Sequence, residues 1–281
     1  MRAGASSFED PGRSCTVSVV SHGQGALVER LLADLAALSP PSVAECLVTR
    51  NLRNDPIALP EGLGFPVSFL DNREPRGFAA NHNAAFARCS SPWFAVLNPD
   101  LRLGEDPFRP LLAAATAGVA LLCPRVLEPD GREADAARLL PTPPRLLRRV
   151  LARIGFAPAP GEHGGPEGAQ SPPAPEWYAG MFMLLGSEAL REVGGFDERY
   201  FMYCEDVDLC ARLRLAGWQL QRVGAASVVH DARRDSRRSP RHLRWHFASL
   251  MRLWASPAFS RYRALLAEER RAGPGRRMAR S

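Results

Sequence analysis

Residues 16–35 have the sequence TVSVVSHGQGALVERLLADL, a β-branched run followed by a turn with two glycines and then by a helical pattern. Leu27, Leu31, Leu32 and Leu35 fall on one face of that helix. Similar patterns recur along the chain. They predict strands at 46–49, 67–70, 93–97, 181–185 and 226–229, and helices at 77–87 and 187–193. This alternation predicts an α/β fold whose mainly parallel sheet is covered by helices on both faces.

The length of 281 residues suits one large core with additions at its ends. We predict a single domain over 15–232, preceded by a disordered segment at 1–14 and followed by an arginine-rich helical tail at 233–281. From 141 to 175 the sequence loses its periodicity and fills with Pro, Gly and Arg, apart from a short apolar piece. Because sheet character resumes at Trp177, we interpret this segment as a mobile excursion and not as a domain boundary.

The six cysteines lack the close pairs that zinc sites and small disulfide-stapled domains need, so we expect free thiols in a reducing cytosol. The N-terminus contains acids and no apolar core, which argues against a signal or transit peptide. The longest apolar run, at 111–123, is shorter than the roughly 20 residues of a membrane-spanning helix. These features predict a cytoplasmic protein whose contact with a membrane, where it has one, is peripheral.

The C-terminal segment from Asp231 to Ser281 is strongly basic, with 14 arginines and four acidic residues. It suits a partner that bears phosphates, either an anionic membrane surface or a nucleic acid, and a solvated tail is the alternative. No nucleic-acid reading motif accompanies it, so no nucleic acid is expected. Apolar residues interleave with arginines as in interfacial helices, namely Trp245, Phe247, Leu250, Leu253 and Trp254 with Arg241, Arg244 and Arg252. Packing of this helix on the domain would explain the same pattern.

Asn98-Pro99-Asp100 directly follows the predicted strand at 93–97. Side chains in an extended chain repeat every two residues, so Asn98 and Asp100 share one side. Mg²⁺ and Mn²⁺ prefer oxygen ligands and commonly take one or two carboxylates. Asp100 is therefore a candidate metal ligand, and an ordinary turn is the alternative. His230 ends the last predicted strand, where it could complete a metal shell, contact a phosphate or be structural.

Three acids, Glu205, Asp206 and Asp208, fall in the first turn of a predicted helix, where the helix dipole alone would favour them. Three carboxylates exceed what capping requires. We expect an exposed Cys-Glu-Asp segment after the aromatic run at 200–203, which would give an acidic pair rimmed by rings that suit sugars. A carboxylate can take the proton of an attacking hydroxyl, and Asp206 is our candidate base, with Glu205 beside it.

Gly180 follows two aromatic residues and precedes an apolar strand. Glycine removes a side chain from a pocket wall, so the backbone could approach a sugar closely here, and an ordinary strand entry is the alternative. Trp177, Gly180 and Tyr203 are the predicted sugar-binding residues. At the other end of the chain, turns after parallel strands lie where open α/β folds bind ligands, so 21–23 is a candidate nucleotide contact.

The longest motif covers 180–184, 194–209, 216–218 and 229–230, with GGFDERYFMYCEDVDL at its centre. Together with the features above, it resembles the family 2 glycosyltransferases of the GT-A fold, and among them the bacterial rhamnosyltransferase-like branch, over about residues 16–230. The resemblance implies that Asn98-Pro99-Asp100 stands where the family has its metal motif. It also implies that Asp206 matches the catalytic base, that His230 matches a metal contact, and that the cofactor is Mn²⁺ or Mg²⁺.

The resemblance further implies a nucleotide-binding surface that includes the first turn and the segments 77–78 and 81–83. The donor-binding residues are thus expected to be Ser21, His22, Gly23, Asn51, Asn72, Gly77, Asn81, Asn83, Asn98 and Asp100. The chain departs from the family pattern at two points. It has Thr49-Arg50-Asn51 where an acidic residue usually follows the second strand, and Asn98 where the metal motif usually opens with an acid.

These expectations describe an inverting glycosyltransferase. It would move a sugar from a dTDP- or UDP-activated donor, such as dTDP-rhamnose, to a cell-surface polysaccharide or a lipid-linked acceptor. A non-catalytic protein that binds a sugar nucleotide or a glycan on the same fold is the alternative. The presence of Asp100, Asp206 and His230 favours the enzyme.

Overall fold

A computed structural model describes residues 14–153, 174–231 and 240–272 of the chain. Within these residues, eight strands form one sheet in the order β3-β2-β1-β4-β9-β6-β10-β5. These strands are β1 (Cys15–Ser21), β2 (Val43–Arg50), β3 (Val67–Asp71), β4 (Trp93–Leu97), β5 (Leu101–Arg102), β6 (Val119–Leu127), β9 (Phe182–Gly186) and β10 (Gln219–His230). A small separate ladder pairs β7 (Ala137–Arg138) with β8 (Trp177–Tyr178).

The main sheet is mainly parallel, as predicted. Strand β1 pairs in parallel with β2 and β4, β2 with β3, and β6 with β10. Strand β9 runs antiparallel between β4 and β6, and β5 runs antiparallel to β10. The carboxyl ends of β1, β2, β3 and β4 therefore lie at one edge, and the turns that follow them meet there.

Helices cover both faces of the sheet. They are α1 (Gly25–Leu38), α2 (Phe78–Phe86), α3 (Phe108–Ala113), α4 (Pro143–Arg153), α5 (Ser187–Glu192), α6 (Glu205–Leu215), α7 (Pro240–Ala255) and α8 (Pro257–Ala272). The leucine face predicted for α1 is buried with Val17 and Val19 of β1 in one apolar cluster. Phe94 and Val96 of β4 belong to a second cluster, which also contains residues of α6, α7 and α8.

Strand β6 was not predicted, and strand β10 was predicted only in part. The apolar run at 111–123 contains the end of α3 and the start of β6, which are separated by a turn with Gly118 at φ +84°. Strand β6 is buried over most of its length, so it lacks the alternation that marks a strand with one exposed face. Strand β10 begins at Gln219, before the predicted start at 226, because its first half is largely exposed and polar.

The segment predicted to be a mobile excursion, at 141–175, is helical in its first part. Helix α4 occupies 143–153, and Leu146 packs against the second apolar cluster. The prediction for 154–173 and the disorder predicted for 1–13 lie outside the described residues.

The C-terminal helices confirm the helical character predicted for the tail. Helix α8 packs on α6 and buries Phe259, a side chain whose burial contributes about 1.5–3 kcal/mol. Helix α7 buries Leu250 and Leu253. The inner face of α7 therefore packs on the domain, which was the alternative to membrane binding for this helix. Among the described residues, no helix is long and apolar enough to span a bilayer.

Candidate active site

The turn after β1 is organised by Asp55, a residue that the sequence analysis did not single out. Asp55 Oδ2 accepts hydrogen bonds from Ser21 Oγ at 2.5 Å and from the Gly23 N–H at 3.0 Å. The Gly25 N–H donates to the other carboxylate oxygen at 3.2 Å. Asp55 is buried and lies a few residues beyond β2. An acid after the second strand is thus present, but it fixes the first turn, and the signal for it was the sequence Asn54-Asp55-Pro56.

Three predicted donor-binding asparagines meet at the same edge. Asn72 Nδ2 donates to Asn51 Oδ1 at 2.8 Å and to Asn81 Oδ1 at 2.6 Å. Asn51 Nδ2 donates to the Arg76 carbonyl at 2.9 Å and lies 3.1 Å from His22 Nδ1. These amides bond mainly to one another and to backbone, so they hold the loops of this edge together beside His22.

Asn83 does not join this group, in contrast to the prediction. Its Nδ2 donates to the Phe196 carbonyl at 2.8 Å and to Glu198 Oε1 at 3.0 Å, and its Oδ1 accepts from the Phe196 N–H at 2.9 Å. Asn83 therefore secures the Gly194–Gly195 turn. The neighbouring His82 is buried against Ser18, and burial lowers its pKa to about 3, so it is a neutral core residue.

Asp100 and His230 are brought together by the antiparallel pairing of β5 with β10, in which Leu101 lies opposite His230. Asp100 Oδ2 lies 3.2 Å from His230 Nε2. Asp100 Oδ1 is buried and has no hydrogen-bond partner among the described residues. A carboxylate oxygen without a partner, next to an imidazole nitrogen, is a donor set that suits a divalent cation whose other ligands come from phosphate and water. Asn98 lies two residues before Asp100, and its N–H donates to the Met181 carbonyl at 2.9 Å.

The candidate base is held by two backbone donors. Asp206 Oδ2 accepts from the Gly180 N–H at 3.0 Å, and Oδ1 accepts from the Val207 N–H at 2.8 Å. Burial raises the pKa of Asp206, while these hydrogen bonds and the charge of Arg138 oppose the rise. A Cβ on Gly180 would lie 3.3 Å from the Phe78 ring and 3.7 Å from Asp206 Cβ. Gly180 therefore packs against Phe78 and the candidate base, and the approach of a sugar to Gly180 stays a prediction.

The expectation that the Cys204-Glu205-Asp206 segment is exposed was wrong. Cys204 and Glu205 are buried, and only Asp206 is partly exposed. Glu205 Oε2 has no hydrogen-bond partner among the described residues. Burial, and then the charge of Asp206, raise the pKa of Glu205 well above its ordinary value. Burial therefore favours the protonated form of Glu205, and a negative charge on Asp206 favours it further.

Helix α7 forms a wall beside the loop that leads to these acids. Phe201 stacks on Trp245 with ring centroids 4.8 Å apart. Tyr203 Oη lies 2.9 Å from His242 Nδ1. Tyr203 was a predicted sugar-binding residue, and Trp245 was predicted to lie on a helix that either binds a membrane or packs on the domain. His242 was not singled out, and the one signal for it was the aromatic and histidine content of the helix.

Helix α7 also approaches the turn after β1. Burial lowers the pKa of His22, and the charge of Arg241 lowers it further. Arg241 at the start of α7 is therefore close to the predicted donor side. A second histidine of the helix, His246, has its ring centroid 5.1 Å from that of Tyr203.

Gly77, a predicted donor-binding residue, lies against the loop that contains Phe201 and Tyr203. It precedes α2, and the Phe78 N–H donates to the Phe201 carbonyl at 3.0 Å. A Cβ on Gly77 would lie only 2.8 Å from Phe201 Cα, so a side chain has no room there. Trp177, a predicted sugar-binding residue, is buried. Its Nε1 donates to the Leu139 carbonyl at 3.0 Å, and the Arg138 guanidinium covers its ring.

Comparison with known proteins identifies the family. The sequence model described as Glycosyl transferase family 2 matches residues 16–166, which is more than half of the chain. The chain belongs to glycosyl transferase family 2. This family 2 member is therefore a glycosyltransferase, and inverting transfer is characteristic of its family.

Its relatives place it near the rhamnosyltransferases. The N-acetylglucosaminyl-diphospho-decaprenol L-rhamnosyltransferase of Mycobacterium tuberculosis (strain ATCC 25618 / H37Rv) is 31% identical over 253 residues, which cover 83% of this chain and 81% of the relative. Rhamnosyltransferase WbbL of Escherichia coli (strain K12) is 47% identical over 81 residues, or 28% of this chain and 31% of the relative.

Solved structures support the fold of this family 2 member. GalNAc-T7, crystallised with UDP, GalNAc and Mn²⁺, has a TM-score of 0.57 at 16% identity, covering 81% of this chain and 45% of its own. The mannosyltransferase PcManGT from Pyrobaculum calidifontis, in complex with GDP-Man and Mn²⁺, has a TM-score of 0.53 at 16% identity, covering 92% of this chain and 77% of its own. The predicted GT-A architecture is thereby confirmed.

Proposed function

We propose that this chain transfers a sugar from a nucleoside-diphosphate donor to a lipid-linked glycan acceptor, with inversion at the anomeric carbon and with Asp206 as the base. The observation that carries the proposal is that both oxygens of Asp206 accept hydrogen bonds from backbone N–H groups, beside the buried Glu205. This arrangement orients the Asp206 carboxylate, and an oriented carboxylate can accept the proton of an acceptor hydroxyl.

The donor diphosphate would lie across the carboxyl edge of the sheet. Ser21, His22 and Gly23 form the turn after β1, and Asp100 and His230 lie at the β5–β10 pairing. Asp100 and His230 would hold Mn²⁺ or Mg²⁺, which supplies positive charge against the diphosphate leaving group. Asp206 accepts the proton of the acceptor hydroxyl as its oxygen attacks the anomeric carbon from the face opposite the diphosphate. Attack from that face inverts the configuration.

Rhamnose is the proposed sugar, carried by dTDP or UDP. The two relatives named above are both rhamnosyltransferases, and one of them acts on an N-acetylglucosaminyl-diphospho-decaprenol. We propose an acceptor of the same kind, a sugar joined through a diphosphate to a lipid, as used to build cell-surface polysaccharide. The reaction class rests on the family, and the sugar and acceptor rest on these relatives.

We further propose that the protein acts at the inner, anionic face of the cell membrane. Helix α7 exposes an apolar stripe whose side chains lie about one helical turn apart. The stripe consists of Leu243, Phe247 and Met251. Arg244 lies beside this stripe and is exposed. An apolar stripe next to arginine is the pattern by which peripheral helices bind anionic lipid.

The first test measures the thermal midpoint of the purified protein with UDP, dTDP or GDP, each with and without Mn²⁺. A ligand that binds only the folded state raises the midpoint, by the equivalent of about 2.7 kcal/mol at a hundredfold excess over Kd. We expect dTDP or UDP to raise the thermal midpoint more with Mn²⁺ than without it. In His230→Ala, we expect the difference that Mn²⁺ makes to be smaller. Absence of a rise with every nucleotide would contradict the proposal.

A non-catalytic binding protein on this fold is the competing function. It also predicts a rise in midpoint with nucleotide, so a transfer assay separates the two. Release of nucleoside diphosphate that depends on a lipid-linked acceptor supports the enzyme. If the protein binds a nucleotide but releases no nucleoside diphosphate from a UDP-, dTDP- or GDP-activated sugar, the result would support the binding protein.

A further inference from the structure

A basic groove lies between the first turn of α4 and one face of α8, and it encloses about 560 Å³. Its polar lining consists of Thr142, Arg145, Glu176, Ser260, Arg263 and Arg270. This volume lies in the range of ligand-binding clefts. The α4–α8 groove includes none of the residues proposed above to bind the donor or to act as the base.

In the α4–α8 groove, the buried carboxylate of Glu176 is shared by two guanidinium groups. Arg145 Nη1 donates to Glu176 Oε2 at 2.9 Å, and Arg270 Nη2 donates to Glu176 Oε1. The Leu140 N–H also donates to Oε2, at 2.7 Å. Both oxygens of Glu176 are thus engaged, and a single negative charge faces two cations.

The α4–α8 groove keeps an excess of positive charge. With Arg263, three guanidinium groups line it together with one carboxylate, which leaves two positive charges. Burial lowers the pKa of Arg145, and burial with repulsion from Arg145 lowers the pKa of Arg270. A disubstituted diphosphate carries two negative charges, and guanidinium groups bind phosphate oxygens through charge-assisted hydrogen bonds.

The α4–α8 groove is connected to the candidate base by a short stretch of chain. Glu176 directly precedes β8, and Gly180, whose N–H donates to Asp206, is four residues further on. Four residues span at most about 14 Å, so the backbone of Glu176 lies within about that distance of Gly180, which contacts the candidate base. Helix α4 also exposes Leu147 and Val150, so apolar surface adjoins the basic lining.

We propose that the α4–α8 groove binds the diphosphate of the lipid-linked acceptor, with Arg145, Arg263 and Arg270 as its cationic contacts and with the lipid following the exposed side of α4. This proposal rests on the proposed function, because it takes the acceptor to be a sugar joined to a lipid through a diphosphate. The groove makes the diphosphate, and not only the sugar, a feature by which the acceptor is recognised.

The test compares Arg263→Glu with Arg261→Glu. Both arginines are exposed on α8, but only Arg263 lines the α4–α8 groove, and neither forms the ion pairs of Glu176. Binding of farnesyl diphosphate is measured by calorimetry in EDTA, so that the metal-dependent donor side does not contribute. We expect Arg263→Glu to weaken binding at least about tenfold and Arg261→Glu to leave it within about twofold.

Equal binding of farnesyl diphosphate by the two variants would overturn the proposal. Phosphatidylglycerol vesicles provide a second arm. If Arg263→Glu loses the vesicles but keeps farnesyl diphosphate, the groove binds a phospholipid headgroup, and the proposal is also overturned. These measurements need neither metal nor donor turnover, so they can fail while the proposed function holds. The proposed function fails when the unaltered protein transfers no sugar, which is a separate readout.

Discussion

Tyr203 Oη lies 2.9 Å from His242 Nδ1, and this contact ties the loop before the candidate base to helix α7. Tyr203 and Cys204 both have left-handed backbone angles, with φ of 72° and 67°. Non-glycine residues adopt this conformation at a cost, and surrounding contacts must hold them there. Ser249 Oγ supplies another such contact by donating to the Met202 carbonyl at 2.8 Å. Helix α7 therefore supports the strained turn that presents the two acids.

Tyr203→Phe should lower kcat severalfold and leave the affinity for the donor nucleotide unchanged. The substitution removes one hydrogen bond, worth about 1 kcal/mol, and releases the strained turn from His242. Steady-state kinetics and nucleotide-dependent thermal shifts measure the two effects. Ser187→Ala is the control, because its hydroxyl donates to the Ser91 carbonyl at 2.7 Å, away from this loop. Equal loss of kcat in both variants would refute a specific role for Tyr203.

Asp206→Asn should abolish transfer while nucleotide binding persists. Removal of a general base typically costs a factor of about 10²–10⁴ in rate. Only the ionised carboxylate can accept the proton, and burial raises its pKa. The acidic limb of kcat/KM in the unaltered enzyme should therefore lie at higher pH than for an ordinary Asp. Asp130→Asn, on an exposed turn, should leave rate and pH profile unchanged. Undiminished transfer by Asp206→Asn would eliminate it as the base.

Glu205→Gln should stabilise the protein at neutral pH and not near pH 4. The folded state raises the pKa of Glu205 above its ordinary 4.5, so it holds a proton that the unfolded chain releases. Stability therefore falls as pH rises from 4.5 towards the folded pKa. Gln removes this loss, and a gain of about 1 kcal/mol would raise Tm by about 2–4 °C. Thermal melts across pH measure it. A gain of equal size at both pH values would contradict the titration.

Gly77→Ala should destabilise the fold by about 1–3 kcal/mol and reduce activity, because the added methyl group meets the backbone of Phe201. Gly104→Ala is the matched control, since a Cβ there meets no atom within 4 Å. Denaturant unfolding measures the stability of each variant. Similar stability for the two variants would show that α2 and the loop at Phe201 can separate at little cost.

Replacing Leu243, Phe247 and Met251 with Ser should release the protein from phosphatidylglycerol vesicles at low salt. Each apolar side chain contributes about 1.5–3 kcal/mol when fully buried, so a loss of at least tenfold in retention is expected. Leu59→Ser is the control, because Leu59 is also exposed but lies outside the tail helices. Retention of the triple variant equal to that of the unaltered protein would exclude α7 as the membrane-binding face.

Several features of the site followed from local sequence. Asp100 and His230 were expected as neighbours of strand ends, and the structure places them 3.2 Å apart. Gly77 was expected on the donor side and Gly180 at a close approach to a sugar, and in the structure Gly77 lies against Phe201 and Gly180 against Phe78. Asn83 was assigned to the donor side, yet its amide is used by the Phe196 backbone. The difference arises because α2 contacts the sheet edge with one face and the Gly194–Gly195 turn with another.

The sequence by itself determined the alternation of strands and helices, the buried face of α1 and the residue types available for chemistry, because periodicity and turn preference depend on neighbours in the chain. Only the tertiary structure decided that Glu205 is buried beside Asp206 with a raised pKa, that Asp55 fixes the first turn, and that α7 packs beside the loop at Tyr203. Burial and charge at these positions arise from residues far apart in sequence, and no local pattern encodes which of them will meet.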